Sequence, residues 1–341
     1  MLNMNAQPKQ HADANYLVVG LGLTGFSVAL YLMSLGYRCR VQDTRDVPPY
    51  FHALRTEFPS ADIVKHPLNA ELIDWADVLV VSPGVSIAQP EIVQAIDLGK
   101  SVIGDIELFA QATVGKPVLV ITGSNGKSTV TTLLGRMIAA DNKSVGVGGN
   151  LGVPALDLLR ESVDYFVLEL SSYQLETTQS LKPVAATVLN LSEDHLDRYD
   201  SYADYIQVKL HIYQNAKVCI SNQDDETTRH DSSDILFGLT VNGTAEFGLV
   251  VNDSGTWLAH KGEHWVNVNQ LKVFGRHNWA NCLAAMALAS TLDISRQAII
   301  KAMIEFKGIP HRSEWIAEIN GVEWINDTKA TNVGAALASI E

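Results

Sequence analysis

Short apolar runs alternate with amphipathic stretches along the first third of the chain. Three short apolar runs, at 16–19, 38–41 and 78–81, are followed by polar or small residues. A helical pattern at 26–35 is closed by Gly36. Alternating strands and helices are typical of a parallel sheet covered by helices. The pattern predicts a Rossmann-like domain over residues 16–112, after a polar leader at residues 1–15 that we expect to be disordered.

A second α/β pattern begins after Gly115-Lys116-Pro117, which has the composition of a linker. A strand at 118–121 runs into a glycine-rich turn and then a helix. The apolar positions of that helix recur at i, i+3, i+4, i+7 and i+8, which places them on one face: Val130, Leu133, Leu134, Met137 and Ile138. The other elements predicted for a central domain over 113–312 are strands at 165–170, 185–190 and 218–221, a β meander between 237 and 273, and a helix at 278–292.

A third unit is predicted for residues 313–341. A strand at 322–326 precedes a polar loop at 327–332, and an apolar helical pattern runs from Val333 onward without a stop signal. The expected fold class is therefore α/β throughout: a Rossmann-like parallel-sheet domain, a central P-loop-type domain with a small meander, and the start of a third α/β domain.

The chain has 341 residues and a formal net charge of -13. Nucleic-acid binding relies on an excess of lysine and arginine, so this balance argues against a nucleic-acid partner. No apolar run reaches the roughly 18 residues that a membrane helix requires, and the polar start lacks the apolar core of a signal peptide. The three cysteines lack metal-ligand spacing and are expected to be buried free thiols. These features predict a cytoplasmic protein without a membrane partner.

The glycine-rich turn has the residue types that cradle a nucleotide's phosphates: Gly123, Ser124, Asn125, Gly126, Lys127, Ser128 and Thr129. At such a turn, backbone N–H groups and a lysine converge on the phosphate oxygens while a hydroxyl ligates magnesium. Lys127 is expected to reach the outer phosphates and Ser128 to hold the metal. Only two residues separate the first glycine from Gly126-Lys127, whereas the full motif has four. The alternative is a glycine-rich turn with an exposed lysine.

Carboxylates are predicted at the strand ends beside this turn. Glu169 closes the apolar run 165–168, and residues 192–198 form a dense polar cluster after the strand at 185–190. Ligands bind at the carboxyl ends of the strands in open α/β sheets, so Glu169 is a candidate magnesium ligand. A strand-end acid that caps a neighbouring helix is the alternative. Lys209, taken alone, has the setting of a surface lysine.

A second glycine-rich segment opens the first domain. Residues 20–25 read G-x-G-x-x-G between a strand and a helix, with Asp43 at the end of the next strand and Arg45 two residues later. This spacing is the dinucleotide fingerprint, and by itself it favours an NAD-dependent oxidoreductase. Two phosphate-binding segments in consecutive domains instead favour two phosphorylated ligands, ATP and a second molecule that carries a diphosphate.

The chain resembles the Mur ligases from about Tyr16 to its last residue. The segments that carry the resemblance are 20–25, 104–109, 122–129, 148–150, 168–172, 193–199, 310–312 and 326–331. Family members share the short Gly-x-x-Gly-Lys-Ser/Thr turn, which removes the objection to the two missing residues. The resemblance implies an ATP-dependent ligase of peptidoglycan precursor synthesis that activates a carboxylate as an acyl phosphate. It is closest to the members that add D-glutamate to UDP-N-acetylmuramoyl-L-alanine.

The resemblance also implies roles for single residues. It places the uridine diphosphate sugar, and not a nicotinamide, near Leu23, Thr24, Asp43, Arg45 and Ser82, with Asn150 and His195 at its muramoyl-alanine part. For ATP it implies the turn 123–129, Asn278 and Asn281 at the adenine, Arg312 at the phosphates and Asp327 at the ribose. The implied catalytic residues are Lys127, His195, Lys209 and Lys329, with Thr331 at the D-glutamate. Two magnesium ions are implied at Ser128, Glu169, His195 and Lys209, the last as a carbamate.

Complete family members continue for roughly another hundred residues of a third domain. We therefore expect this chain to bind the sugar nucleotide well, ATP imperfectly and D-glutamate poorly, and to be a monomer. The alternatives are a family member that accepts another amino acid or a folate-like substrate, an NAD-dependent oxidoreductase, and a binding module without activity.

Overall fold

The computed structural model describes residues 13–194, 196–230, 233–241, 243–330, 334, 336 and 337. The chain folds into two compact units. Unit 1 consists of Met1–Lys116, Gly148–Ser162 and Ser171–Leu181, and unit 2 of Pro117–Val147, Val163–Leu170 and Lys182–Glu341. Two returning segments therefore complete unit 1 after the chain has entered unit 2.

The described residues form the strands β1 Asn15–Val19, β2 Arg38–Gln42, β3 Asp62–Val64, β4 Val78–Val81, β5 Ser101–Ile103, β6 Val118–Thr122, β7 Val145–Gly149, β8 Tyr165–Glu169, β9 Ala185–Val188, β10 Cys219–Asn222, β11 Ile235–Phe237, β12 Phe247–Asn252, β13 Gly255–His260, β14 Glu263–Asn267, β15 Glu314–Ile319 and β16 Val322–Asn326. The α-helices are α1 Leu23–Ser34, α2 Phe51–Glu57, α3 Ala70–Trp75, α4 Pro90–Asp97, α5 Asp105–Ala112, α6 Lys127–Ala140, α7 Ser172–Leu175, α8 Tyr202–Leu210, α9 Arg276–Ser290 and α10 Arg296–Glu305. Short 3-10 helices lie at Ala155–Arg160, His211–Tyr213, Glu226–Thr228 and Val268–Gln270.

Unit 1 contains a parallel five-stranded sheet in the order β3-β2-β1-β4-β5. All four residues of β4 are buried, as is typical of a central parallel strand that is covered on both faces. In this doubly wound order the strand sequence reverses beside β1, and ligands bind at that switch point. The Rossmann-like parallel sheet predicted from the sequence is confirmed.

Two buried acids at the start of α5 attach the second returning segment to unit 1. The Glu107 carboxylate accepts hydrogen bonds from the backbone N–H groups of Gln179 and Ser180 at 2.7 and 2.9 Å. Oδ2 of Asp105 accepts a hydrogen bond from Nε2 of Gln174 at 3.2 Å. The Gly-Asp-Ile-Glu motif, which contributed to the family resemblance, therefore fixes the stretch of chain that follows β8.

Unit 2 contains a nine-stranded sheet in the order β14-β13-β12-β11-β10-β9-β6-β8-β7. The strands from β11 to β8 in this order run parallel. Strands β12, β13 and β14 form an antiparallel meander at one edge. The predicted α/β fold of the central domain, with its small meander, is confirmed.

The core of unit 2 surrounds α6, which packs against α9, α10 and β8. The five apolar residues of α6 that the sequence places on one face are all fully buried. Each such side chain contributes roughly 1.5–3 kcal/mol. Helix α9 is buried at every position from Cys282 to Ala289, so it lies inside the unit rather than on its surface. This packing holds the N-terminus of α6, where the glycine-rich turn ends.

Strands β15 and β16 form an antiparallel hairpin within unit 2, and β16 is the strand predicted there. The helix predicted from Val333 falls largely outside the described residues, as does most of the predicted leader. All three cysteines are free thiols: Cys219 and Cys282 are buried and Cys39 is half-buried. Within the part of the chain that the structure describes, no helix is both long and apolar enough to cross a membrane.

Candidate functional site

A cavity of about 350 Å³ opens in unit 2 beside the glycine-rich turn. Eight of the residues predicted to bind ATP or to act in catalysis line this cavity: Asn125, Gly126, Thr129, Asn278, Asn281, Arg312, Asp327 and Lys329. They come from the turn, from the start of α9 and from the loops that flank the β15–β16 hairpin. The structure therefore brings together side chains that are far apart in the sequence.

Two glycines allow the turn to fold closely against its neighbours. Gly123 has φ +142, and a Cβ there would lie 3.1 Å from the backbone nitrogen of Leu189. Gly126 has φ +82 and precedes the first residue of α6, and a Cβ there would overlap the side chain of Asn281. Both conformations lie in the region that favours glycine. The turn is thus shaped by the end of β9 on one side and by α9 on the other.

Lys127 lies at the first position of α6 and turns its side chain back over the loop. Its Nζ donates to the carbonyl oxygens of Gly123 and Ser124 at 2.9 and 2.7 Å. Burial lowers the pKa of Lys127, the positive charge of Arg312 lowers it further, and Glu169 opposes both effects. An anion that entered the cavity would stabilise the charged ammonium, because it would supply the negative charge that this position now has only in part.

Lys209 lies on α8 and is buried, with 2% of its surface exposed. Its Nζ donates to the carbonyl oxygen of Gly123 at 3.0 Å and to Oγ1 of Thr122 at 3.3 Å. Burial and the neighbouring charge of Lys127 hold the pKa of Lys209 well below its usual value. The interpretation of Lys209 as a surface lysine is therefore wrong. Lys209 is instead a buried residue of α8 that contacts the end of β6 and the glycine-rich turn.

Oxygen donors suited to magnesium lie beside the two lysines. Glu169 is the last residue of β8, which pairs directly with β6, and Ser128 follows Lys127 on α6; their exposures are 3% and 2%. Among the described residues, no group of three or more His, Cys, Asp and Glu side chains is arranged to hold a metal alone. This donor set suits Mg²⁺, which usually takes one or two carboxylates and completes its shell with phosphate oxygens and water.

The opposite wall of the cavity is polar and is organised by α9. Nδ2 of Asn281 donates to Oδ1 of Asn278 at 3.1 Å, and Nδ2 of Asn278 donates to the carbonyl oxygen of Phe274 at 2.6 Å. His277 also lines the cavity, with its Nε2 3.2 Å from Oγ of Ser313. Amide and imidazole groups arranged in this way can pair with the hydrogen-bonding edge of a base.

Two loops of unit 2 hold the remaining charged residues at the cavity. Oδ1 of Asp327 accepts a hydrogen bond from the backbone N–H of Ser313 at 3.1 Å. The backbone N–H of Lys329 donates to the carbonyl oxygen of His311 at 3.1 Å. These bonds join the loop before β15 to the loop after β16. As a result Arg312, Asp327 and Lys329 all reach the same cavity.

A second cavity, of about 710 Å³, lies within unit 1 at the switch point of its sheet. Six of the residues predicted to bind the uridine nucleotide line it: Leu23, Thr24, Asp43, Arg45, Ser82 and Asn150. Gln174 also lines this cavity, and its side chain is held there by the hydrogen bond that it donates to Asp105. Two further predicted residues, His195 and Thr331, lie outside the described residues, so their roles stay predictions.

Asp43 organises the glycine-rich segment of unit 1. Its carboxylate accepts hydrogen bonds from the backbone N–H of Leu21 at 2.8 Å and from the guanidinium of Arg45 at 2.6 and 2.8 Å. Burial alone would raise the pKa of Asp43, but these hydrogen bonds outweigh it and lower the pKa to about 2. Arg45 is half exposed, so its guanidinium keeps donors available at the cavity rim.

Sequence reasoning missed several residues of the two cavities. His277, Asn190 and Asn222 line the cavity of unit 2, and Gln174 lines that of unit 1. A signal existed for two of them. Asn190 ends an apolar strand pattern, where ligand-binding residues of parallel sheets are expected, and His277 directly precedes the predicted Asn278. For Gln174, which lies between apolar residues of a short helix, the sequence offers no comparable signal.

Known families match most of the chain. The Mur ligase middle domain matches residues 121–289, and the Mur ligase MurD-like N-terminal domain matches residues 14–104. UDP-N-acetylmuramoylalanine–D-glutamate ligase of Escherichia coli (strain K12) is 46% identical over 333 residues, which cover 96% of this chain and 74% of that enzyme. The enzyme of the same name from Pseudomonas aeruginosa is 46% identical over 334 residues, covering 97% and 74%.

Solved structures share the fold at lower identity. A pseudomurein peptide ligase type C from Methanothermus fervidus superimposes with a TM-score of 0.59 at 22% identity, covering 96% of this chain and 78% of that chain. MurF ligase from Thermotoga maritima, solved in complex with ADP, gives a TM-score of 0.57 at 16% identity, covering 100% and 75%. At these identities the likeness shows a common fold.

Proposed function

The chain belongs to the Mur ligase family, and we propose that it couples D-glutamate to UDP-N-acetylmuramoyl-L-alanine while ATP is cleaved to ADP and phosphate. The observation that carries the proposal is the turn before α6, where Lys127 lies beside a cavity lined by Arg312 and Lys329. Three cations around one cavity are notable in a chain of net charge -13. They supply the local positive charge that a nucleoside triphosphate requires. The two 46% identical ligases support the choice of substrates.

ATP occupies the cavity of unit 2 in this proposal. The backbone N–H groups at the start of α6 and the ammonium of Lys127 bind the phosphates, because a helix N-terminus carries partial positive charge. Asn278 and Asn281 contact the adenine, and Asp327 binds the ribose hydroxyls. Arg312 contacts the phosphates from the opposite loop. Asn278, Asn281, Arg312 and Asp327 all line the cavity in the structure.

Magnesium accompanies the nucleotide. Ser128 and Glu169 would hold it, with His195 and a modified Lys209 as the further ligands of the two ions that the family resemblance implies. When bound, Mg²⁺ offsets the charge of the phosphate oxygens during phosphoryl transfer.

The uridine diphosphate sugar occupies the cavity of unit 1. The guanidinium of Arg45 and the hydroxyl of Thr24 are donors to phosphate oxygens among the residues that line this cavity. Ser82 lines it too, and its hydroxyl donates to the carbonyl oxygen of Gly20 at 3.0 Å. Asp43 is already engaged by Leu21 and Arg45, which leaves it less available for the ribose of a nicotinamide dinucleotide. Family membership also makes the oxidoreductase interpretation of the glycine fingerprint wrong.

The reaction proceeds by phosphoryl transfer and then acyl transfer. An oxygen of the alanine carboxylate attacks the γ-phosphorus of ATP, the bond to the β-phosphate oxygen breaks, and ADP leaves. The amine of D-glutamate then attacks the acyl carbon, and the tetrahedral intermediate expels phosphate and loses a proton to give the amide. Lys127 and Lys329 reduce the repulsion between the two anions in the first step, which is mainly a matter of positioning and charge.

Lys209 is proposed to act as a carbamate. Its neutral nitrogen attacks carbon dioxide, an N–C bond forms as one C–O π bond opens, and the nitrogen releases one proton to solvent, which leaves an anion able to bind metal where a protonated lysine would be a cation. The reaction requires the neutral amine, which burial beside Lys127 favours. The proposed location is the cytoplasm, in keeping with three free thiols, and the proposed state is a monomer.

Phosphate release from ATP tests the proposed reaction. We expect release by this chain to require UDP-N-acetylmuramoyl-L-alanine and to increase with D-glutamate more than with L-alanine, L-lysine or L-glutamate. Calorimetric titration of the sugar nucleotide and of NAD tests unit 1 separately, because it needs no turnover. Stimulation by a different amino acid would support another ligase of the family, and binding of NAD in place of the sugar nucleotide would overturn the proposal.

A further inference from the structure

The phosphate-binding turn is two residues shorter than the full motif, and the chain after β9 supplies contacts that hold it. Strand β9 ends at Val188, earlier than the sequence predicted, so the residues that follow are free to turn toward the neighbouring strand end. The short turn contacts these residues through a series of hydrogen bonds. Those bonds come from backbone and side chains alike, and they involve both residues between the two glycines of the turn.

Asn190 makes a double contact with the turn. Its Oδ1 accepts a hydrogen bond from the backbone N–H of Asn125 at 2.9 Å, and its Nδ2 donates to the carbonyl oxygen of the same residue at 3.0 Å. Its own carbonyl oxygen accepts from the backbone N–H of Ser124 at 2.8 Å. One side-chain amide thereby satisfies both polar groups of one peptide residue, as a neighbouring β-strand would. This geometry fixes the orientation of Asn125 more strongly than a single hydrogen bond could.

Further contacts join the same two segments. The backbone N–H of Ser192 donates to Oγ of Ser124 at 3.0 Å, and Oγ of Ser124 lies 2.9 Å from the hydroxyl of Tyr205. The segment after β9 is in turn held from β10, because Nδ2 of Asn222 donates to the carbonyl oxygen of Leu189 at 2.9 Å. Asn190 therefore acts from a segment that is itself anchored.

We propose that Asn190 is a positioning residue for nucleotide binding, whose side-chain amide holds the short turn in the conformation that accepts the phosphates of ATP. The inference deepens the proposed function and depends on it, since it concerns the same ATP site. Asn190 acts through Asn125 and needs no contact with the nucleotide itself.

The hydrogen bonds with Asn190 determine which N–H groups of the turn are left for the phosphates. The backbone N–H of Asn125 donates to the side chain of Asn190, and the backbone N–H of Ser124 donates to the carbonyl oxygen of Asn190. The N–H groups of the first turn of α6, from Lys127 onward, lack partners within a helix. Holding Asn125 directs the turn so that these groups face the cavity. Without the amide, the turn loses two of its fixed hydrogen bonds and samples other conformations, which lowers affinity by the fraction of time it spends in them.

The test compares Asn190→Asp and Asn190→Ala with the unaltered chain. Asn190→Asp keeps the shape but replaces the donor to the Asn125 carbonyl with a second acceptor, and Asn190→Ala removes both bonds. Hydrogen exchange is measured on peptides that cover residues 122–127, without nucleotide. We expect exchange there to be about tenfold faster in both variants. Calorimetry should show Mg-ATP binding weakened about tenfold or more, with unchanged affinity for the sugar nucleotide in unit 1.

Asn267→Asp is the matched control. Asn267 also uses both ends of its amide, donating to the carbonyl oxygen of Ser254 and accepting from the N–H of Asn269. It lies on β14, five strands away from β9. The Asn267→Asp substitution should alter neither hydrogen exchange at residues 122–127 nor Mg-ATP binding.

Three results would overturn the inference: unchanged exchange at 122–127, unchanged Mg-ATP affinity in a chain that binds Mg-ATP, or faster exchange throughout unit 2, which would mean that Asn190 only supports folding. Failure of the unaltered chain to bind Mg-ATP would instead count against the proposed function. The exchange measurement decides the contact with the turn even in that case.

Discussion

Lys127 and Lys209 donate hydrogen bonds to the same acceptor, the carbonyl oxygen of Gly123, at 2.9 and 3.0 Å. Two ammonium groups that share one buried carbonyl oxygen repel each other, which disfavours the charged form of each. Burial and the charge of Lys127 accordingly lower the pKa of Lys209. The charge of Lys127 therefore favours the neutral amine of Lys209, which is the form that the proposed carbamate requires.

Replacing Lys127 by alanine should reduce phosphate release by about a hundredfold or more. The substitution removes the cation nearest the turn, and removing one donor that stabilises transition-state charge typically has an effect of this size. Lys143→Ala is the matched control, because Lys143 lies just beyond α6 and pairs with Asp141 at 3.3 Å. Near-normal phosphate release by Lys127→Ala would contradict the role assigned to this lysine.

The carbamate on Lys209 should be visible directly. With ¹³C-labelled bicarbonate, the unaltered chain should give a carbamate carbon signal that Lys209→Arg does not give. Arginine retains its proton at all accessible pH values and cannot form the adduct. Lys209→Arg should also lower phosphate release, since it places a fixed cation where an anionic ligand is proposed. Equal signals from the two proteins would place the carbamate elsewhere or exclude it.

The sequence predicted the elements better than the contacts between them. Regular periodicity identified α6 and its five buried positions, because burial of one helix face leaves a local pattern. The pairing of Asn190 with Asn125 spans 65 positions and that of Gln174 with Asp105 spans 69. Contacts of this kind depend on strand order, which periodicity does not encode. Lys209 illustrates the limit, since its neighbours in sequence suggest a surface helix while the fold buries it against β6.

Asp105 should make stability depend on pH. Burial raises the pKa of this carboxyl to about 6, against the opposing hydrogen bond from Gln174. Because the pKa is raised in the folded state, the folded protein binds this proton more tightly than the unfolded chain does. An aspartate in the unfolded chain has a pKa of about 4. The contribution of Asp105 to stability is then fully present below about pH 4 and is lost as pH rises through about 6, by an amount on the order of 3 kcal/mol.

Asp105→Asn should remove that dependence, because asparagine keeps an acceptor for Gln174 but does not titrate. The free energy of unfolding is measured with denaturant between about pH 4 and about pH 8, which spans the expected pKa values of the unfolded and folded states. The control is Asp97→Asn, at an exposed position of α4, which should follow the curve of the unaltered chain. The assignment fails if Asp105→Asn and the unaltered chain lose the same stability across that range.

Two glycines of the unit 1 fingerprint should differ in their tolerance of the same substitution. A Cβ at Gly25 would collide with the carbonyl oxygen of Gly20, which is backbone and cannot rotate away, whereas a Cβ at Gly22 meets nothing within 4 Å. Gly25→Ala should therefore destabilise unit 1 by about 1–3 kcal/mol, the usual cost of overpacking. Gly22→Ala should cost less than about 1 kcal/mol, because Gly22 has an ordinary extended conformation at the N-cap of α1.

Measurement of both variants separates the two functions that a glycine-rich segment can have. If Gly25 is required for the approach of α1 to the end of β1, Gly25→Ala should lower the unfolding midpoint of unit 1 and weaken binding of the sugar nucleotide together. Gly22 lines the cavity, so Gly22→Ala should weaken binding with little change in the unfolding midpoint. Equal midpoints for the two variants would show that the helix can shift to accept the extra carbon at Gly25. The close contact between Gly20 and Gly25 would then not be what fixes the fingerprint.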